Sequence, residues 1–305
     1  MRSNNSAKSN IELSIIILSY NTAALTKQTI ESVLKSLTSA HVNYEIIVFD
    51  NASSDKSVDF VKAIAKKHKT VKIIAHKENL GFSKGNNVAL QSARGEYILF
   101  LNSDIIVQDD AISKLFDYYK LNQESVHFVG GKLFNKDGTL QPSGGPFYSL
   151  PIVFAALFLK GDHWGLSRQS PEKIMPIDWV SGACLLTTKK IFKTVGGFDE
   201  EIFMYMDEID LLYRAHKMKF QTYFYPYAPF IHLGSASSEG KTYPILQVYK
   251  GFIYFYKKHH SPLAISLLLG MLQLKALTAI WIGKLTKNNY LTETYDKALK
   301  MAQMA

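Results

Sequence analysis

The chain has 305 residues, 47% hydrophobic and 20% charged, an ordinary globular composition with length for one large domain or for a core plus a smaller appendage. Lys and Arg outnumber Asp and Glu by 35 to 26, which favours anionic partners such as nucleotides, acidic lipid headgroups or nucleic acid. One cysteine, Cys184, excludes an intrachain disulfide and fits a reducing compartment; set among Ala183, Leu185 and Leu186, it reads as a buried structural thiol.

The first ten residues, MRSNNSAKSN, are polar, read as a disordered terminus, and lack the apolar core of a signal peptide. The LSIIIL that follows is too short to cross a bilayer and reads as a buried strand, so a cytoplasmic site of action is expected. From there the chain alternates. ELSIIILSY, YEIIVFD, VKIIAH and EYILFLNSD read as strands; TKQTIESVLKSLTSA, DKSVDFVKAIAKKH, SKGNNVALQSA and DDAISKLFDYYKLN read as helices. Near-continuous apolar strands in βαβα order predict an α/β fold with a mostly parallel sheet covered on both faces. Ligands in such sheets bind beyond the carboxyl ends of the strands, which directs attention to YNT, DNASSD, NLGFSKGNN and NSD.

Between about Leu133 and Pro176 the pattern breaks into turn-rich sequence with Gly138, Gly144 and Gly145, the expected form of a functional loop or lid. DWVSGACLLTTKKIF restores a strand and a helix before the acidic segment FMYMDEIDLLYR. From about Tyr243 aromatics recur at helical intervals. SPLAISLLLGMLQLKALTAIWIGKL then has the length of a membrane span, with Gln273 and Lys275 in its middle. It reads as an interfacial or core-packing helix pair, with a basic, aromatic edge suited to anionic headgroups.

Asn102 and Asp104 stand two positions apart at a strand end, where a carboxylate can hold a divalent cation gripping a diphosphate. Asp50 ends the preceding strand of the pattern, placed to accept from a base or ribose, while Ser53, Ser54 and Asp55 read as turn and helix cap. Gly81 and Gly85 permit close backbone approach beside Asn79, Asn86 and Asn87. Neither a phosphate-binding P-loop nor a G-x-G-x-x-G follows the first strand, which disfavours a dinucleotide enzyme. A nucleic-acid binder is disfavoured because the positive charge is spread thinly.

Taken in order, SIIILSYN, VFDNASSD, NLGFSKGNN, LFLNSD, WVSGACLLTTKKIFKTVGGFDE, FMYMDEIDLLYR and FIHLGSASS closely resemble the family 2 glycosyltransferases, most of all their bacterial rhamnosyltransferase-like branch. The resemblance runs from about Leu13 to Ser238. It implies a GT-A fold over residues 11–240, with a nucleotide-sugar half at about 11–130 and an acceptor half at about 131–240; residues 241–305 read separately as a helical extension that either associates with a membrane or packs on the core. It also implies a UDP- or dTDP-linked sugar donor, a divalent metal (Mn2+ or Mg2+), inversion at the anomeric carbon, and a glycan or lipid-linked acceptor in surface polysaccharide assembly.

Carried over by position, Asn21 and Asp50 lie in the nucleotide-binding turns, and Asn79, Gly81 and Asn86 in the donor loop. Asn102, Ser103 and Asp104 occupy the D-x-D position, with Asn102 replacing its first acid. Metal binding then falls to Asp104 and His232. Gly182 and Ala183 resemble the small-residue strand lining the sugar pocket, and Trp179 and Asp199 lie on the acceptor side. The family's usual Glu-then-Asp is here Asp207 then Glu208; Glu208 takes the place of the base, with Asp207 next. Asp210 lies four residues before Arg214 and suits a helical ion pair. Two rivals remain at this point. A sugar nucleotidyltransferase would need a basic Gly-rich loop that SYNTAAL lacks, and a non-catalytic glycan-binding protein would not need the acids that are present.

Overall fold

The computed structural model describes residues 11–234 and 242–305. The first ten residues, expected to be disordered, and the last part of FIHLGSASS lie outside the described residues. In chain order the first part comprises β1 (Leu13–Ser19), α1 (Ala23–Ser36), β2 (Tyr44–Asp50), α2 (Ser57–Lys67), β3 (Val71–Ala75), α3 (Gly81–Gln91), β4 (Tyr97–Asn102), β5 (Ile105–Val107), α4 (Ala111–Leu121) and β6 (Phe128–Phe134). The irregular region holds β7 (Leu140–Gln141), β8 (Gly144–Gly145), α5 (Leu150–Phe158), β9 (Met175–Pro176) and β10 (Trp179–Val180). β11 (Cys184–Thr188), α6 (Lys189–Val195), α7 (Asp207–Lys217), β12 (Thr222–His232), α8 (Thr242–His259), α9 (Pro262–Leu285) and α10 (Asn289–Gln303) follow.

The main sheet runs β3-β2-β1-β4-β11-β6-β12-β5, with β7 pairing to β6 and β9 to β12. β1 lies between β2 and β4, parallel to both, and β12 is parallel to β6. Such a strand is covered on both faces, which is why LSIIILS is apolar at successive positions instead of alternating. The period of two still sorts the side chains. Ile16, Ile47, Phe49, Ile98 and Phe100 enter one layer with α3, α6, α7 and α8, whereas Ile15, Ile17, Val48, Leu99 and Leu101 enter the other with α1 and α4. β11 wedges antiparallel between β4 and β6, bringing Gly182 and Ala183 beside the end of β4. Cys184 is buried there as a free thiol, and burial pushes it up to about 12.

The helices after residue 241 are part of this packing: Phe252, Phe255 and Tyr256 of α8 share a cluster with Trp179 of β10 and Met206. α8 is also bonded to α7. Asp210, fully buried, accepts from Arg214 Nε at 2.7 Å, Lys258 Nζ at 2.8 Å and His259 Nε2 at 2.7 Å. The expected Asp210–Arg214 pair is therefore present, inside a larger network. The run expected as a helix pair is instead one continuous helix, α9, whose entry Ser261 caps by accepting from Ala264 N; Pro262 follows in its first turn. Nothing between Pro262 and Leu285 breaks it, because Gly270 lowers helix propensity without removing a hydrogen bond.

Candidate active site

A cleft of about 420 Å³ opens at the carboxyl ends of β1, β2 and β4, where parallel strands deliver their polar turns. Its donor-side wall is built around Asn51. The Asn51 amide donates to Asn79 Oδ1 at 2.8 Å and to Gly81 O at 3.1 Å, and its Oδ1 accepts from Leu80 N at 2.8 Å. This sews the turn after β2 to the loop after β3. Gly81 has φ +75, and a Cβ there would stand 2.6 Å from the Phe203 ring and 2.7 Å from its carbonyl oxygen, so the close approach requires glycine.

Asp50 lies just behind this wall, 2% exposed. Its Oδ2 accepts from Ser53 N at 3.0 Å, and its buried Oδ1 has no partner among the described residues. A buried carboxylate oxygen without a donor is unusual enough to mark a place where a ligand donor fits. Asn21 stands outside the cleft in a left-handed conformation (φ 52), bracing the same turn by accepting from Ser54 N at 2.8 Å. Asn86 is buried in α3, its amide bonded to Phe82 O at 3.0 Å, and does not line the cleft.

Asn102, Ser103 and Asp104 do line it, together with His232 from the end of β12. The Nε2 of His232 lies 3.3 Å from Asp104 Oδ1 and 3.3 Å from Asn102 Nδ2, while its Nδ1 is 2.7 Å from Gln141 Oε1. An amide oxygen only accepts, so Nδ1 donates to Gln141 and Nε2 is the nitrogen turned toward the Asn102 amide and Asp104. An imidazole held by a carbonyl on its far nitrogen, next to a carboxylate, is the donor chemistry of a divalent site completed by substrate oxygens. Among the described residues no cluster of three or more His, Cys, Asp or Glu gathers as a cation cage, so two protein donors are what this site offers.

At the same cleft, α7 starts after Tyr205 and Met206, both left-handed (φ 64 and 67), a strained turn that puts Asp207 and Glu208 at the wall. The two differ in setting. Asp207 is 5% exposed, and burial, reinforced by the charge of Glu208, raises its carboxyl well above the usual range. Glu208 is only partly buried and lies beside the turn before β11, where a Cβ on Gly182 would stand 3.5 Å from the Glu208 Cβ. Two adjacent carboxyls in one desolvated corner resist holding two charges, which is why the more buried Asp207 is the one raised.

Arg168, which the sequence patterns did not single out, lines the same cleft. Its guanidinium lies 5.6 Å from the Trp179 ring centroid, and its Nε is 3.4 Å from Tyr148 Oη. The side chain is open to the cleft and crowded by protein elsewhere. Burial opposes its charge, and Tyr148, Asp162 and Glu208 together outweigh that cost. Trp179 itself is buried, donates to Pro146 O at 2.9 Å, and serves as the platform beneath Arg168 instead of lining the cleft. Asp199 also stands away from the cleft, accepting from Tyr254 Oη at 2.8 Å and pairing with Lys258. Asn51 and Gln141 were likewise missed. Asn51 adjoins Asp50 in the turn already singled out, whereas Gln141 and Arg168 come from the irregular insertion, where no periodicity marks them.

The family model for glycosyl transferase family 2 matches residues 14–167, just over half of the chain. The low-salt glycan biosynthesis hexosyltransferase Agl10 of Haloferax volcanii is 26% identical over 213 residues, covering 68% of this chain and 62% of that protein. The chain spans between 25% and 62% of the length of the first curated relatives it matches. Among solved structures, a mannosyltransferase from Pyrobaculum calidifontis in complex with GDP-Man and Mn2+ has a TM-score of 0.56 at 16% identity, over 96% of this chain and 75% of that one. GalNAc-T7 with UDP, GalNAc and Mn2+ has a TM-score of 0.58 at 13% identity, over 82% and 48%. These likenesses establish the GT-A fold.

Proposed function

The chain belongs to the family 2 glycosyltransferases, and from that premise we propose that it transfers a sugar, with inversion, from a nucleotide-diphosphate sugar to a glycan or lipid-linked acceptor. The observation that carries this reading is the convergence, on one cleft, of the Asp207–Glu208 corner and the Asn102–Asp104–His232 group. A single displacement needs a base on the acceptor side and charge stabilisation at the leaving group, on opposite faces of the reacting carbon.

In this reading Glu208 is the base. Burial raises the Asp207 carboxyl well above the usual range, whereas Glu208 is the less buried of the two at the cleft. Glu208 takes the proton of the acceptor hydroxyl as that oxygen bonds to the anomeric carbon; the bond to the diphosphate oxygen breaks and its electron pair leaves with the nucleotide. Arg168, the one lysine or arginine among the described residues lining the cleft, orients and stabilises anionic oxygens. Asn79 and Gly81 cradle the donor, with the Asp50 Oδ1 accepting from the nucleobase once the turn around Ser53 opens. Asp104 and His232 Nε2 would hold a divalent cation, Mn2+ or Mg2+, which supplies Lewis-acid stabilisation of the departing diphosphate.

The proposed donor is a UDP- or dTDP-linked hexose, rhamnose among them, used in surface polysaccharide assembly on the cytoplasmic face of a membrane. The Haloferax relative, named for glycan biosynthesis, supports the product class, and the GDP-Man in the Pyrobaculum structure adds GDP-sugars to the candidates. The test is a binding and donor-hydrolysis screen of UDP-, dTDP- and GDP-sugars with Mn2+ or Mg2+. Binding of one class, lost in Asp104→Asn, is expected; no binding of any nucleotide sugar overturns the proposal.

A further inference from the structure

We infer that the outward face of α9, joined by α5 and the loop after it, docks on an anionic lipid bilayer beside the mouth of the cleft. Only the direction of acceptor delivery rests on the transferase reading; the docking itself does not. α9 has two stripes. Leu268, Leu272, Ala276, Ala279 and Gly283 are buried, and a Cβ on Gly283 would meet Thr292 Oγ1 at 2.6 Å, so α10 lies close along this side. The opposite stripe is just as apolar yet uncovered: Leu263, Leu267, Leu274, Leu277, Trp281 and Leu285 are between 49% and 71% exposed. Soluble helices carry polar residues there.

The polar groups of α9 are arranged for a lipid neighbour. Ser266 donates to Pro262 O at 3.0 Å, Thr278 to Leu274 O at 3.0 Å, and Thr286 to Ile282 O at 2.8 Å, so each hydroxyl is satisfied within the helix. The two side chains expected to disfavour a membrane turn inward. Gln273 donates to Ala302 O at 3.1 Å, and Lys275 donates to Leu157 O at 2.7 Å, tying α9 to α5. That tie holds α9 against an element that is itself exposed and apolar at Phe154 and Leu159, with Trp164 at 70% exposure in the loop after it. Arg168 lies four residues beyond Trp164, so the apolar loop and the cleft are within about 14 Å along the chain.

Charge selects the kind of bilayer. No Asp or Glu occurs from residue 262 to 292, whereas the exposed Lys284 and Lys287 do, and Lys257 lies near the end of the preceding helix. Basic residues bordering an apolar stripe suit anionic headgroups. α9 lies on the membrane instead of crossing it, because its buried stripe is held lengthwise by α10, which carries Glu293, Asp296, Lys297 and Lys300.

The three tryptophans make the test direct: Trp164 and Trp281 lie on this face, and Trp179 is buried. The full chain is titrated, without nucleotide sugar or metal, with vesicles of phosphatidylcholine alone or containing about a third phosphatidylglycerol. Expected are a blue-shifted emission and co-sedimentation with the anionic vesicles, at least about tenfold weaker on neutral ones. Leu274→Glu and Leu267→Glu, checked for native melting, should each weaken binding about tenfold or more; Trp164→Ser probes the α5 side should either fail to fold. Binding that survives all three substitutions overturns the proposal, as does absence of binding to either vesicle. A dimer in solution that Leu274→Glu dissociates, without vesicle binding, gives the face to a second copy. Vesicle binding by a chain that binds no nucleotide sugar leaves the docking standing and removes the transferase reading.

Discussion

Asp210→Asn should destabilise the protein by about 2–3 kcal/mol at pH 7, a loss that fades in acid. The carboxylate is fully buried and accepts from Arg214, Lys258 and His259 within 2.7–2.8 Å. Burial alone would raise its pKa; the three donors outweigh it and bring the group from 3.8 to about 2. At about 1.4 kcal/mol per unit, that difference is worth about 2.5 kcal/mol whenever the group is ionised in both states. The folded pKa lies below the unfolded one, so this stability is present above about pH 4 and disappears as pH falls toward 2. Asparagine keeps the shape and one acceptor oxygen but not the charge. Alanine leaves three donors facing a void and should cost about 3–5 kcal/mol. Urea unfolding of wild type and Asp210→Asn at pH 7, 5, 4 and 3 reads the effect. A gap below about 0.5 kcal/mol at pH 7, or one that does not shrink between pH 5 and 3, refutes the reasoning.

Glu208→Gln should lower the turnover by about 10²–10⁴-fold with nucleotide-sugar binding nearly unchanged; survival of transfer moves the base to Asp207. Asp207→Asn should raise the melting temperature at pH 8 more than at pH 5. The buried acid's pKa is raised, so its ionised form costs stability as pH climbs above the ordinary value of 3.8, and an equal effect at both pH values counts against this. Arg168→Gln should lower kcat/KM by about 10–100-fold, and Arg168→Lys should not restore it, since an ammonium cannot stack flat on Trp179. Gly81→Ala should lose about 1–3 kcal/mol in chemical unfolding, from its positive φ and the contact with Phe203; a neutral result would mean that the turn relaxes freely.

The strands could be read from the sequence because burial on both faces of a parallel sheet demands unbroken apolar runs, as in LSIIILS and YEIIVFD, and their polar ends located the cleft. The acids at the start of α7 and the Asp210–Arg214 spacing were equally legible, being local in sequence. What local pattern cannot convey is direction and partner. Asp207 and Glu208 are neighbours about 100° apart around a helix, and only the packing decides which is desolvated. Asn21, Trp179 and Asp199 share a chain neighbourhood with the site but are bonded elsewhere by tertiary contacts, and Asn86 is bonded back onto its own helix. Arg168 reaches the cleft through an irregular loop, where no period marks it. In α9 the sequence by itself determined an apolar helix with a lysine in its middle. Only the tertiary structure turned that lysine onto the Leu157 carbonyl and left leucines outside, because an apolar stripe shows its purpose only once its neighbours are in place.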